Sequence, residues 1–68
     1  MIKVGRSYRF DYPSHFVTLP EYLAHRAEVV TVLRRLRDGD EYGLERMYAI
    51  SAQDGWQGQA WESELIDL

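Results

Sequence analysis

The sequence predicts an all-β domain, a small sheet that curls toward a barrel, and two stretches carry that prediction. Ser7-Tyr8-Arg9-Phe10-Asp11-Tyr12 alternates strictly, with Tyr8, Phe10 and Tyr12 on one face and Ser7, Arg9 and Asp11 on the other. Further on, Met47-Tyr48-Ala49-Ile50-Ser51-Ala52 and Gln57-Gly58-Gln59-Ala60-Trp61 flank Gln53-Asp54-Gly55-Trp56. Asp-Gly between two apolar-alternating runs is a strong hairpin signal, because Gly takes positive φ without a Cβ clash and Asp tolerates it.

Ile2-Lys3-Val4-Gly5 is a lead-in, with Gly5 at the turn that delivers the chain into the first strand. Pro13 ends that strand because it has no N–H for the ladder. Ser14 to Leu23 is then a long loop, and long ordered loops often carry function. Residues 24–37 read two ways. Thr18-Leu19-Pro20-Glu21 fits a capping box, Leu23, Ala27, Val30, Leu33 and Leu36 fall at helical spacing, and Gly39 stands where a C-cap would, giving a helix from Pro20 to Arg37 and an α+β fold. Against that, Val29, Val30, Thr31 and Val32 are consecutive β-branched residues, which fit a strand from Glu28 to Leu36 with Val30, Val32 and Arg34 on one face. Propensity leaves the choice open. Arg34 to Gly43 reads as a charged, solvated loop tip.

In the C-terminal part, Tyr48, Ile50 and Ala52 share a strand face, and Gly58 inside the return strand suggests a bulge or sharp bend. Glu62 to Ile66 is too short for an ordinary helix and reads as one helical turn leading into a terminal strand of Leu65, Ile66 and Leu68. The expected core is Phe10, Val30, Val32, Tyr48, Ile50, Ala60 and Leu65.

The chain has 68 residues, which suits one domain, 1–68, that buries only about 60% of the surface its unfolded form exposes. With no cysteine there is neither a disulfide nor a thiolate metal site, and the load of stability falls on the aliphatic residues and on nine aromatics, two Trp, five Tyr and two Phe. No apolar run approaches the roughly 20 residues of a membrane span, and no signal-peptide pattern opens the chain, so a cytoplasmic protein is expected. Net charge −3 and a pI near 5.2 argue against general attraction to nucleic acid or anionic membrane.

A longer pattern runs through these elements: Val4-Gly5, the Tyr/Phe-rich strand, His15, Leu19-Pro20-x-Tyr22, Arg26-Ala27-x-Val29, a charged loop, Met47-Tyr48-x-Ile50, Gly55-Trp56-x-Gly58 and Glu64-Leu65. In this order the chain resembles the C-terminal SH3-like barrel of the nitrile hydratase β subunit, of the electron transport accessory type. The resemblance spans nearly the whole chain and implies a partly open barrel of about five short antiparallel strands, to which the residues themselves add a 3-10 turn near the C-terminus. It favours the strand over the helix at Glu28 to Leu36. The family places Gly where Ala27 stands here, so the chain must pass that point without positive φ or with strain. The family's chemistry needs a metal held by a cysteine-rich motif on the other subunit, so the activity does not carry over; a scaffold or interface role does.

Among residues that could carry chemistry, His15 and His25 with Glu21 offer two nitrogens and a carboxylate, but the spacing is not that of a metal site, and no metal or other cofactor is expected. Asp11, Asp38, Asp40, Asp54, Glu62 and Glu64 supply carboxylates without a catalytic signature; Asp54 serves its turn and Glu64 a solvated edge, and no enzyme is expected. Tyr12, Phe16, Tyr22 and Trp56 are expected as a partly exposed patch between the long loop and the hairpin, the side chains that anchor protein partners. The expected function is a non-catalytic protein-protein interaction module: accessory subunit, adaptor or small inhibitor. The alternative is nucleic-acid binding by Arg26, Arg34, Arg35 and Arg37 with Tyr22 and Tyr42, although Glu28, Asp38, Asp40, Glu41 and Glu45 offset much of that charge. A homodimer through an exposed strand edge is also open.

Overall fold

The alternation at residues 7–12 folds as strand β1 (Ser7–Phe10) in the computed structural model, which describes residues 2–12, 19–38 and 45–68. Gly5 takes φ 90, which lets its N–H reach the Val32 carbonyl (2.8 Å) as the chain enters β1. β1 is shorter than predicted. Beyond Phe10 the Asp11 N–H still donates to the Glu64 carbonyl (2.7 Å), so the extended path continues toward Tyr12 outside the strand proper.

Both readings of residues 20–37 contain part of the answer. A one-turn helix, α1 (Pro20–Ala24), starts where Pro at the first position favours it, but its N-cap is Leu19, extended (φ −97, ψ 131) and without a side-chain hydrogen bond. Thr18 of the expected capping box, with His15, Phe16, Gly39 and Tyr42, lies outside the described residues. The β-branched block then forms strand β2 (Val29–Arg37), so the long helix to Arg37 is overturned. Arg34 to Arg37 belong to this strand and not to a loop tip. Between helix and strand, Ala27 adopts φ 67, and its N–H donates to the Phe10 carbonyl (2.7 Å). The strain expected from an alanine at a glycine position is present.

Strands β3 (Met47–Ala52) and β4 (Gln57–Trp61) form the predicted hairpin, with Gly55 at φ 93 in its turn. A 3-10 turn (Glu62–Glu64) leads into β5 (Leu65–Ile66), which pairs with β1. All pairings are antiparallel and the sheet order is β4-β3-β2-β1-β5. The edge strands β4 and β5 are not hydrogen-bonded to each other among the described residues, so the sheet is open.

The irregularity predicted at Gly58 lies elsewhere. Gly58 pairs with Ile50 in an unbroken ladder, whereas β2 carries two bulges against β3, one between Val32 and Arg34 and one between Arg35 and Arg37. Each inserts an extra leucine, Leu33 and Leu36, and each flips the facing of the residues C-terminal to it. Arg34 consequently opposes Ala49 and not the Ile50 side, leaving the face of Val30 and Val32 that strict alternation gives it. The same bulge sets Arg35 opposite Tyr48. Gly58 is glycine for a different reason: a Cβ there would lie 2.4 Å from the Trp56 indole.

Tyr8, Phe10, Val30, Val32, Tyr48, Ile50, Ala52, Ala60 and Leu65 form the core, with Phe10 and Ile50 fully sequestered. All seven residues expected inside are there. Burying a side chain of this kind contributes roughly 1.5–3 kcal/mol.

Candidate functional site

Phe10 is the floor of an aromatic cluster built from three separate parts of the chain. Tyr12, just past β1, sits 5.7 Å from Phe10 between ring centroids; Tyr22, from α1, lies 5.2 Å from Tyr12; Trp56, from the hairpin turn, meets Tyr22 edge-on at 4.9 Å. The Tyr22–Trp56 pair is edge-to-face at 90°, an attractive geometry, and the other two are tilted at 43° and 35°. Tyr12, Tyr22 and Trp56 are half-buried, resting on the core with part of each ring open to solvent. Three of the four patch residues are thus brought together, and Phe16 lies outside the described residues.

Trp56 is held from its other face by His25, whose ring stacks on the indole at 4.2 Å and 9°. His25 is buried, 8% exposed, and bridges two elements: Nδ1 lies 2.6 Å from the Glu21 carbonyl oxygen in α1, and Nε2 lies 2.9 Å from Asp54 Oδ2 in the hairpin turn. The other Asp54 oxygen accepts the Trp56 N–H (2.9 Å), the turn role anticipated for Asp54. The Glu21 carbonyl raises the His25 pKa above its usual 6.5, helped by the Asp54 carboxylate and opposed by burial. Asp54 is held below its usual 3.8, first by the Trp56 N–H and then by His25. Nothing in the sequence points to this pair, whose members stand 29 residues apart. With both nitrogens of His25 engaged by oxygen, it is not presented as a metal ligand; among the described residues no three His, Cys, Asp or Glu side chains are grouped to hold a metal ion.

Two outward N–H groups on the edge of β4 are met by side chains. Pairing of Ile50 with Gly58 and Tyr48 with Ala60, together with the Ala52–Trp56 and Arg46–Glu62 bonds at either end, turns the N–H groups of Gln59 and Trp61 outward. The Tyr22 hydroxyl accepts the first (2.9 Å) and Glu64 Oε1 the second (2.8 Å). Glu64 is therefore buried, 7% exposed, and not on a solvated edge; burial raises its pKa above 4.5, partly offset by the Trp61 N–H, while Glu45 and Asp11 add to the rise.

The arginines do not form one strip. By register Arg34 and Arg37 share the face of Ala49 and Met47, while Arg35 lies on the other and pairs with Asp38 (2.7 Å). Arg26 is exposed in the link after α1. Arg34, Leu36, Ala49, Gln57 and Gln59 line, together with Tyr22, a concavity of about 300 Å³. No known family model, no characterised protein and no solved structure matches this chain.

Proposed function

We propose that the chain is an SH3-like barrel of the type that ends the nitrile hydratase β subunit, working as a non-catalytic protein-protein interaction module. It serves as an accessory subunit, adaptor or small inhibitor in the cytoplasm. Two features support the fold reading: the sheet order, in which the last strand returns beside the first, and the positive φ at Ala27, where that family places glycine. The observation that carries the functional reading is the half-buried cluster of Tyr12, Tyr22 and Trp56. Large rings already fixed by their neighbours lose little conformational freedom on binding, which is what makes such residues strong anchors. Arg34, which lines the same concavity as Tyr22, adds a cation, so the partner presents an apolar anchor and a carboxylate.

The test is Trp56→Ala and Tyr22→Ala. Each retains the sheet, at a stability cost of about 1–2 kcal/mol for a half-buried ring, and each loses partner binding. A folded variant that still binds the partner at full strength overturns the proposal. A second reading, nucleic-acid binding, draws on Arg34 and Arg37 sharing one face and on the concavity that Arg34 and Tyr22 both line. It differs in its salt response: phosphate contacts weaken steeply as salt rises, and an aromatic-anchored protein contact does not.

A further inference from the structure

The His25 bridge has a chemical requirement that the rest of the cluster does not. Its two nitrogens face a backbone carbonyl at 2.6 Å and an aspartate oxygen at 2.9 Å. Both are pure acceptors: the carbonyl has no proton, and Asp54 is held ionised by the Trp56 N–H. A neutral imidazole has one N–H. Whichever nitrogen keeps it, the other turns a lone pair toward an oxygen lone pair, and one of the two bonds becomes a repulsion. Only the imidazolium satisfies both at once.

The bridge is also placed where its loss would matter. It ties α1, which carries Tyr22, to the hairpin turn that carries Trp56, and the imidazole itself forms one wall of the Trp56 site. A cation stacked on an indole face gains from the ring's negative face, a contribution the neutral ring lacks. The charged groups around it favour the proton: Asp54 in the turn and Glu28 at the entrance to β2 both attract it, and the two line a concavity of about 340 Å³ that admits water to Asp54. On α1 the contact is the Glu21 carbonyl, and Arg26 is the adjacent cation in the link.

We propose that His25 is a proton-operated clamp on the aromatic patch: as the imidazolium it holds α1 against the Asp54 turn with Tyr22 and Trp56 in contact, and on losing its proton it lets the two halves of the patch separate. That this gates partner binding rests on the proposed interaction role; the clamp itself does not. The sign follows from the raised pKa of His25. Its contribution is fully present below about pH 6.5, the value of a free histidine, and is lost as pH rises through the higher folded value. At the acid end, Asp54 keeps the clamp until pH falls through its own depressed pKa, below 3.8.

The experiment is an NMR titration of the protein alone across neutral pH, following the His25 ring carbons, the Trp56 indole N–H and the amide exchange of α1. The expected result is a His25 midpoint above 6.5, with the Trp56 signal and α1 exchange changing at that same midpoint. In Asp54→Asn the midpoint moves down, and in His25→Gln, whose amide can donate only toward one side, the Trp56 transition disappears. Trp56 and α1 signals that stay fixed through the His25 midpoint overturn the clamp, as does a Trp56 transition that persists in His25→Gln. Because no partner is present, these failures leave the interaction role standing; conversely, a Trp56→Ala variant that still binds its partner removes the interaction role and leaves the clamp.

Discussion

Gly58 and Trp56 show how a single missing side chain shapes the site. The indole occupies the space a Cβ would take, 2.4 Å from its nearest ring atom, and the ring cannot retreat freely because His25 stacks on one side and Tyr22 abuts it on another. Gly58→Ala is expected to expel the indole from the cluster and to destabilise the protein by roughly 1–3 kcal/mol, the range for overpacking. Denaturant unfolding measures the cost and the Trp56 indole N–H shift reports the displacement; an alanine variant with unchanged stability but a displaced indole signal would mean that the ring moves aside without penalty. The sequence contains this glycine in plain view, yet its reason is not legible there. A glycine inside a strand pattern fits a bulge as well as a close ring approach, and only the path of Trp56 distinguishes them.

At the scale of elements, the junction between α1 and β2 is where the sequence signals are most divided. Pro20 and Glu21 signal a helix start and Val29 to Val32 signal a strand, and both signals are obeyed because the helix stops after one turn. The stop runs through Ala27 at φ 67. A left-handed alanine costs about 1–2 kcal/mol that glycine does not incur, partly offset by glycine's greater freedom when unfolded. Ala27→Gly is therefore expected to stabilise by about 0.5–1 kcal/mol, read as a rise in the denaturation midpoint; a fall would show that the alanine methyl contributes contacts outweighing its strain. The bulges in β2 are not legible in the sequence. Leu33 and Leu36 fit a helical spacing and a strand equally, and their insertion depends on matching β3 across the ladder, a property of the pair and not of either segment. The β4 edge belongs to this scale too. With the outward N–H groups of Gln59 and Trp61 already bonded to Tyr22 and Glu64, self-pairing through β4 would have to break both bonds, which favours a partner that docks on side chains.

For the molecule as a whole, the core is the most legible part, because alternation in β1 and β3 and the β-branched block in β2 put Phe10, Val30, Val32, Tyr48 and Ile50 on one side without any long-range information. The candidate site is half legible. Ring-bearing residues at 12, 22 and 56 stand out in so short a chain, but the His25–Asp54 bridge that sets their geometry joins residues whose separate roles, turn aspartate and isolated histidine, conceal each other. A small open sheet with its core filled and a cluster of half-buried rings at one end is well suited to present a surface.

The most direct test of that role is a pull-down with the tagged protein from the native host's lysate, in low and high salt and after nuclease treatment. The interaction account expects one protein retained in every condition and lost with Trp56→Ala. Retained material that disappears on nuclease treatment or in high salt would contradict it and put nucleic-acid binding in its place.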